Sequence, residues 1–541
     1  MADSKHPIHE DTPSLSDADA RELALLGKKS VLRRNFSPIA ILGLSCSLMI
    51  TWEGLFSVFI FGLLNGGPAG LIYSYLICWA GWACVVATMG ELVSMWPTAG
   101  GQYHWTYMLA PDGWNEVLSY VTGWQSVIAW QALTASGAYL TATALQGLVI
   151  NSRADYVPER WHGTLMVFAL ILFCLAFNTF LAKGLPKVEI AILWLHVILF
   201  IVVLVVMTVK APVKSTNAEI WTTFLNGGGY ESKGLSFFVG WITPVFAFSG
   251  ADGAVHMSEE IKNSSRVVPW ALMSESNLGS SNLLDACKWS LADLTTVSIL
   301  VNGVTGLAML IGILYCIGDI DAALNTPTGY PFIEILTQGV GSIGGGTALS
   351  AFLVVMFCCA TLGIVATSSR QLWAFARDNA VPNAKLVSYV HPTMKIPIVA
   401  LCITATISCL LSLINIGSAT VFNAIVSLTV AGFFGSYLTP FCLLLYTRVR
   451  YPGKLAPGPW TLGKWGPLVN GIAIGWGVIV FFFSFWPSGV PVSAMSMNWS
   501  CVLWSAVMVF AVVFWFVHGK NVYKGPVIET DATEADVMRV S

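Results

Sequence analysis

Residues 42–59 read LGLSCSLMITWEGLFSVF and residues 241–260 read WITPVFAFSGADGAVHMSEE. Each is an apolar run broken near its middle, by Thr51, Trp52, Glu53 and Gly54 in the first and by Ser249, Gly250, Ala251, Asp252 and Gly253 in the second. Backbone polar groups inside a bilayer must be satisfied without water, so a helix interruption is tolerated there only where it is buried in protein or lines a cavity. A kink kept for packing would account for either run alone. Two such runs, placed as they are along the chain, point to a site.

The rest of the chain supplies the bilayer argument. Of 541 residues 55% are hydrophobic and only 10% charged, against about 25% charged in a soluble domain. That balance excludes a soluble enzyme. With 22 Trp and 29 Phe the chain is not disordered, and 12 Cys without a CxxC pair are too sparse for a disulfide scaffold. Apolar stretches at roughly 38–62, 69–95, 115–147, 162–182, 188–209, 236–258, 298–318, 346–368, 396–415, 419–446, 467–486 and 498–517 predict an all-α integral membrane protein with twelve transmembrane helices. The first 35 residues are polar and lack the apolar core of a cleavable signal, so insertion is expected to begin with the first span. With both termini inside, 22 of the 27 Lys and Arg fall on the cytoplasmic side, as the positive-inside rule requires.

The two interrupted runs are spans one and six. Five is odd, so a five-span repeat returns inverted through the membrane and brings paired broken helices to a midplane site. The expected organisation is a disordered tail over 1–35, a first repeat over 36–209, a second over 236–446, two further spans over 467–517 and a C-terminal tail over 518–541.

Glu53 and Asp252 read as the only acids in the middle of a span. A carboxyl there is costly unless protonated or paired, which favours a substrate bearing an amine or a proton carried by the acid itself. In the third span Trp124, Gln131 and Thr134 share a face, with Trp130 beside it, and an aromatic face attracts ammonium groups. Trp in a helix bundle also serves plain packing, and Trp52 beside Glu53 is the better aromatic candidate. His196 in span five and His256, four residues after Asp252, are candidate proton relays, although a lone histidine in an apolar helix commonly bonds a carbonyl instead. No metal-ligand spacing, phosphate-binding glycine loop or nucleophile elbow occurs in a suitable context, so no metal, cofactor, nucleic-acid partner or enzymatic activity is expected. A channel would show a pore-lining ring of like charges, which the sequence lacks.

Several long motifs resemble the amino acid/polyamine/organocation superfamily, in particular its fungal amino acid/choline transporter family. They are TWEG at 51–54 followed by LNGGPAG at 64–70, GELVSMWPTAGGQYHWTYMLAP at 90–111, FSGADGAVHMSEEIKNSSRVVP at 248–269 and SSRQLWAFARDNAVP at 368–382. The resemblance implies the five-plus-five inverted-repeat fold with two added C-terminal spans. It also implies proton-coupled, alternating-access uptake across the plasma membrane, with choline, GABA, other amino acids or polyamines as substrates. Carried onto this chain, the substrate site is Thr51, Trp52, Glu53 and Gly54 with Phe248, Ser249, Gly250, Ala251 and Asp252, completed by Trp124, Gln131 and Asn423. The cytoplasmic gate is Glu91, Glu259, Glu260 and Arg370.

Residues 274–297 (SESNLGSSNLLDACKWSLADLTTV) depart from that pattern. They are polar and aperiodic, and removing them joins ALM directly to SILVNG as one span. The expectation is a retained intron, to be decided by sequencing the cDNA.

Overall fold

The computed structural model describes residues 27–529 apart from 30, 33, 262–263, 265–266, 269–297, 418–420, 456–457 and 495. The atypical segment 274–297 therefore lies outside the described residues. Among those residues the chain is helical, with a single isolated bridge between Phe36 and Ile261. The helices used below are α1 (Pro38–Met49), α2 (Thr51–Ser57), α3 (Phe59–Leu64), α4 (Gly67–Met95), α5 (Gln102–Leu109), α6 (Asn115–Ser152), α7 (Arg160–Phe180), α8 (Leu185–Lys210), α9 (Lys233–Val239), α10 (Ile242–Ala247), α11 (Gly253–His256), α12 (Ser298–Tyr315), α13 (Ile343–Arg377), α14 (Ile398–Gly417), α15 (Val421–Arg450), α16 (Gly466–Phe483) and α17 (Ser500–Phe514).

Ten stretches among the described residues are long and apolar enough to cross a membrane, and Lys233–Ala247 and Ile299–Tyr315 are shorter apolar helices. Burial sorts the ten. In Ile39–Ser57 94% of the apolar stretch is buried, against 11% in Ser500–Val522, so the first interrupted run forms the centre of the bundle and α17 lies at its edge. The long helix α6 packs against both α13 and α15, and α13 packs on the first interrupted run. Many large apolar side chains of α7, α8, α14 and α17 are exposed, among them Leu172, Trp194, Leu410 and Val513. Such outward apolar faces are stable only against lipid.

The first interruption falls one residue earlier than the sequence suggests. Ser37 caps α1, accepting from the Ala40 N–H, and Pro38 opens it. The helix stops at Ile50, whose left-handed backbone (φ 35°, ψ 48°) is a conformation a β-branched residue rarely adopts. Thr51 to Gly54 then form the first turn of α2 and are not the break itself. An acid is favoured in the first turn of a helix, where the dipole is positive, which suits Glu53 to that place. The second interruption follows α10. Gly250 takes φ +90°, open to glycine at little cost, and α11 begins at Gly253. The two breaks interlock. A Cβ at Gly250 would lie 3.3 Å from the Leu48 carbonyl oxygen, and one at Gly54 would lie 3.5 Å from the Ala247 Cα.

Candidate functional site

Where the two breaks cross they leave a cavity of about 30 Å³. Met49, Ile50, Gly54 and Ser57 line it from the first run, Phe246 and Ser249 from α10 and the turn after it, Leu133 and Gly137 from α6, and Phe357 and Thr361 from α13. That is room for about two waters. A solute of amino-acid size requires the walls to part. The α1 helix ends at the interruption, where the Ile50 N–H caps the Cys46 carbonyl, and a helix C-terminus carries partial negative charge. This end of the cavity suits a cation. No acid lines it.

The acids instead turn away from the cavity, each towards a histidine. Glu53 Oε1 lies 2.8 Å from His196 Nδ1 of α8, and both side chains are fully buried. Trp52 also faces α8, within ring contact of His196 and Phe200. Neither Trp52 nor Glu53 lines the cavity, because the helical turn that puts Gly54 and Ser57 on one face of α2 turns them to another. Asp252 Oδ2 accepts from Gln102 Nε2 at 2.7 Å and from Trp130 Nε1 at 3.4 Å. His256 Nε2 is 3.3 Å from the same oxygen, and its Nδ1 lies 2.9 Å from the Ala99 carbonyl, to which it donates. In both acids the second oxygen, Glu53 Oε2 and Asp252 Oδ1, makes no hydrogen bond of good geometry, and the Tyr437 hydroxyl lies beside Asp252.

The other sequence candidates divide. Phe248 and Ala251 are buried in the second break, Phe248 against Tyr75. Thr51 is buried beside the first break, its hydroxyl without a partner. Trp124 does not line the cavity and packs edge-on against Phe375 and Phe510. Gln131 donates to Thr404 of α14, whereas Thr134 bonds Ser368 of α13, so the face they share on α6 meets two different neighbours. Asn423 lines a separate cavity of about 20 Å³ with Asn65 and Ser488, at the end of the bundle away from the termini.

Of the four residues expected to form a gate, Glu259, Glu260 and Arg370 gather at the end of the bundle where the segments around Lys28 and Val527 meet. Arg370 Nε donates to Glu260 Oε1 at 2.8 Å. Glu259 binds Arg377 through two hydrogen bonds of 2.8 and 2.9 Å and accepts from the Ala99 N–H. Burial would raise the Glu259 carboxyl, but Arg377, with Lys28 and the Ala99 N–H, holds it below the ordinary carboxylate range. Glu91 does not join this group. It pairs with Arg448 at 2.6 Å and accepts from Thr461, fixing the turn between α15 and α16.

Three members of this charged cluster were not legible in the sequence. Arg377 is one. The others are Lys28 and Asp378, a buried pair at 3.0 Å that also takes the Tyr103 hydroxyl and the Val527 N–H. Lys28 Nζ donates in turn to the Val527 carbonyl, so both chain ends strap across the tip of α13. Burial pushes the Lys28 ammonium below its ordinary value despite Asp378. Asp378 is itself held low: burial would raise it, and the charges of Lys28 and Arg377 outweigh that. Nearby His104 is pushed down to about 3 by burial and the Lys28 charge, so it stays neutral at any physiological pH.

One buried acid was also missed. Glu189 of α8, at the start of its apolar run, is fully buried and joins Glu53 and Asp252 as a carboxyl enclosed by the helices. In that place it reads as a flanking charge, but α1 and α13 cover it.

Broken helices crossing at a central cavity, buried acid–histidine pairs and a buried cluster of ion pairs at one end are the features of a polytopic membrane transporter. The sequence matches the profile of the amino acid permease family over residues 36–275 and 295–507. The chain belongs to that family, within the amino acid/polyamine/organocation superfamily, whose members are permeases and not enzymes. It is 29% identical over 517 residues to a choline transporter of Saccharomyces cerevisiae, covering 95% of this chain and 86% of that one. It is 29% identical over 464 residues to a putative amino acid/polyamine transporter of Macrophomina phaseolina, covering 85% and 96%. A third relative, amino-acid permease 2 of Neurospora crassa, is 27% identical over 532 residues, covering 97% and 93%.

Proposed function

We propose that the chain is a secondary active permease of the plasma membrane that imports an amine-bearing solute, an amino acid such as GABA or choline, with protons as the coupling ion. Its termini are cytoplasmic, and residues 36–209 and 236–446 form two inverted five-span repeats followed by two further spans. The observation that carries this reading is the cavity between the two interruptions, where the carbonyl end of α1 supplies partial negative charge for an ammonium group. Glu53 with His196 and Asp252 with His256 carry the protons: each carboxyl is buried and hydrogen-bonded through one oxygen, the other making no bond of good geometry. Glu259, Glu260, Arg370 and Arg377 close the cytoplasmic side.

The polyamine named for one relative is less well served, because several ammonium groups need several anions and the cavity wall is neutral. Residues 274–297 are a retained intron in this reading. Its support is the family match, which leaves residues 276–294 unmatched. Uptake of radiolabelled choline, GABA, polyamines and the standard amino acids, each at two external pH values, tests the function. Import of choline or an amino acid that rises as external pH falls is the expected result. Uptake of none of them, or uptake indifferent to pH, counts against the substrate class and the coupling respectively.

A further inference from the structure

Glu189 shares the buried face of α8 with His196, seven residues or about 10 Å further along the axis. Its surroundings are neutral. From α1 it meets the Ser47 hydroxyl, whose Oγ lies 2.6 Å from Oε2. From α13 it meets Gly363, where an added Cβ would sit 3.2 Å from Oε1, and the titratable thiol of Cys359. Oε1 has no hydrogen-bond partner, and Glu189 enters none of the ion pairs among the described residues.

Two proton arrangements fit these contacts, because the Ser47 hydroxyl has one hydrogen and two acceptors in reach, Glu189 Oε2 at 2.6 Å and the Leu44 carbonyl at 3.0 Å. Donation to Glu189 leaves the acid a bare carboxylate with that one bond, whereas donation to Leu44 leaves the 2.6 Å contact to be made by a proton on Glu189. The resulting chain, from acid to hydroxyl to carbonyl, satisfies each group. A bare carboxylate with one neutral partner would be far more costly.

The half-helix α1 that seals Glu189 from one side ends at the left-handed residue Ile50. Rotation there would part α1 from α8 and α13 and admit water. We infer that Glu189 is a second proton station of the transporter, on the terminal side of the Glu53–His196 pair. It keeps its proton while α1 is docked and releases it when α1 swings out. In that step the acid O–H bond breaks, the proton passes to water, and the carboxylate left behind is hydrated through the opened seam. Resealing requires a proton to return. The inference rests on the proton-coupled reading above and names a residue that reading did not contain.

The test uses the full-length protein in proteoliposomes with labelled choline, or labelled GABA if the uptake panel selects it. One pH unit, acid outside, sustains about a tenfold solute gradient at one proton per solute. Glu189→Gln keeps the shape and removes the exchangeable proton. The expected result is loss of pH-driven accumulation to the equilibrium level, with solute–solute exchange far less affected. Glu189→Asp should restore accumulation with a displaced pH profile. Equal accumulation by wild type and Glu189→Gln overturns the inference and leaves proton coupling standing, whereas failure of the wild type to accumulate overturns both. Should Glu189→Gln not reach the membrane, Ser47→Ala removes the hydroxyl and keeps the acid. A displaced pH midpoint of uptake supports the station, and an unmoved one overturns it.

Discussion

The two ends of the bundle are closed by different chemistry. Where the termini meet, the closure is ionic and buried: Glu259 with Arg377, Glu260 with Arg370 and Lys28 with Asp378. At the opposite end it is neutral. Asn65 Nδ2 donates to the Ser488 carbonyl at 3.0 Å, its Oδ1 accepts from Gly228 N–H at 3.1 Å, and the Tyr230 hydroxyl bonds the Pro487 carbonyl. A buried charge pair is expensive to separate by removing one partner, while a neutral hydrogen bond exchanged for water is nearly balanced. One end is therefore locked and specific in what unlocks it. The other can open for modest energy.

Four measurements sharpen or break this contrast, in falling order of effect. Glu53→Gln and Asp252→Asn act between the two ends, on the acids proposed to carry protons, and each should abolish uptake with surface expression kept; normal uptake in both would remove the acids from the mechanism. Arg377→Ala leaves Glu259 as an uncompensated buried charge and should cost about 3–5 kcal/mol, read as a large drop in thermal stability with more thiol labelling from the terminal side. Acid should weaken the same end. Glu259 and Asp378 have folded values below their ordinary ones, so their stabilisation is complete above the ordinary carboxylate range and is lost as pH falls through the depressed values. Melting temperature should fall over that acid interval, and Glu259→Gln should flatten part of the fall. Asn65→Ala removes only neutral bonds, and a loss of about 1–3 kcal/mol is expected for the buried partners it leaves; a penalty as large as that of Arg377→Ala would erase the distinction between the ends.

The same contrast explains what the sequence made legible. A polar residue inside an apolar run is conspicuous, so both interruptions, both acids and both histidines stand out in one dimension. The direction of a side chain does not. Glu53 and Gly54 are neighbours in sequence, yet Gly54 lines the cavity and Glu53 faces α8. Glu189 looked like an end-of-span charge because its cover comes from α1 and α13, far away in the chain. Lys28 and Asp378 are 350 residues apart, and no local pattern predicts that pairing. Glu91 misled for the converse reason: an acid at a helix end is a gate or an anchor according to its partner, here Arg448. Asn498, the residue of the NWS sequon, is decided the same way. Its side-chain nitrogen is buried and committed to the Ser484 and Trp486 carbonyls at 2.8 and 3.0 Å, which leaves it no freedom to carry a glycan.

Counterflow tests the central claim, that the crossing of the two interruptions is a site reached alternately from each side. Proteoliposomes holding the purified full-length protein are loaded with excess unlabelled choline or GABA and given a trace of the labelled compound outside. The expected result is a transient concentration of label inside, above the external level, without any imposed ion gradient. Label that only equilibrates, or does not enter, for choline and for every amino acid tried would contradict the account.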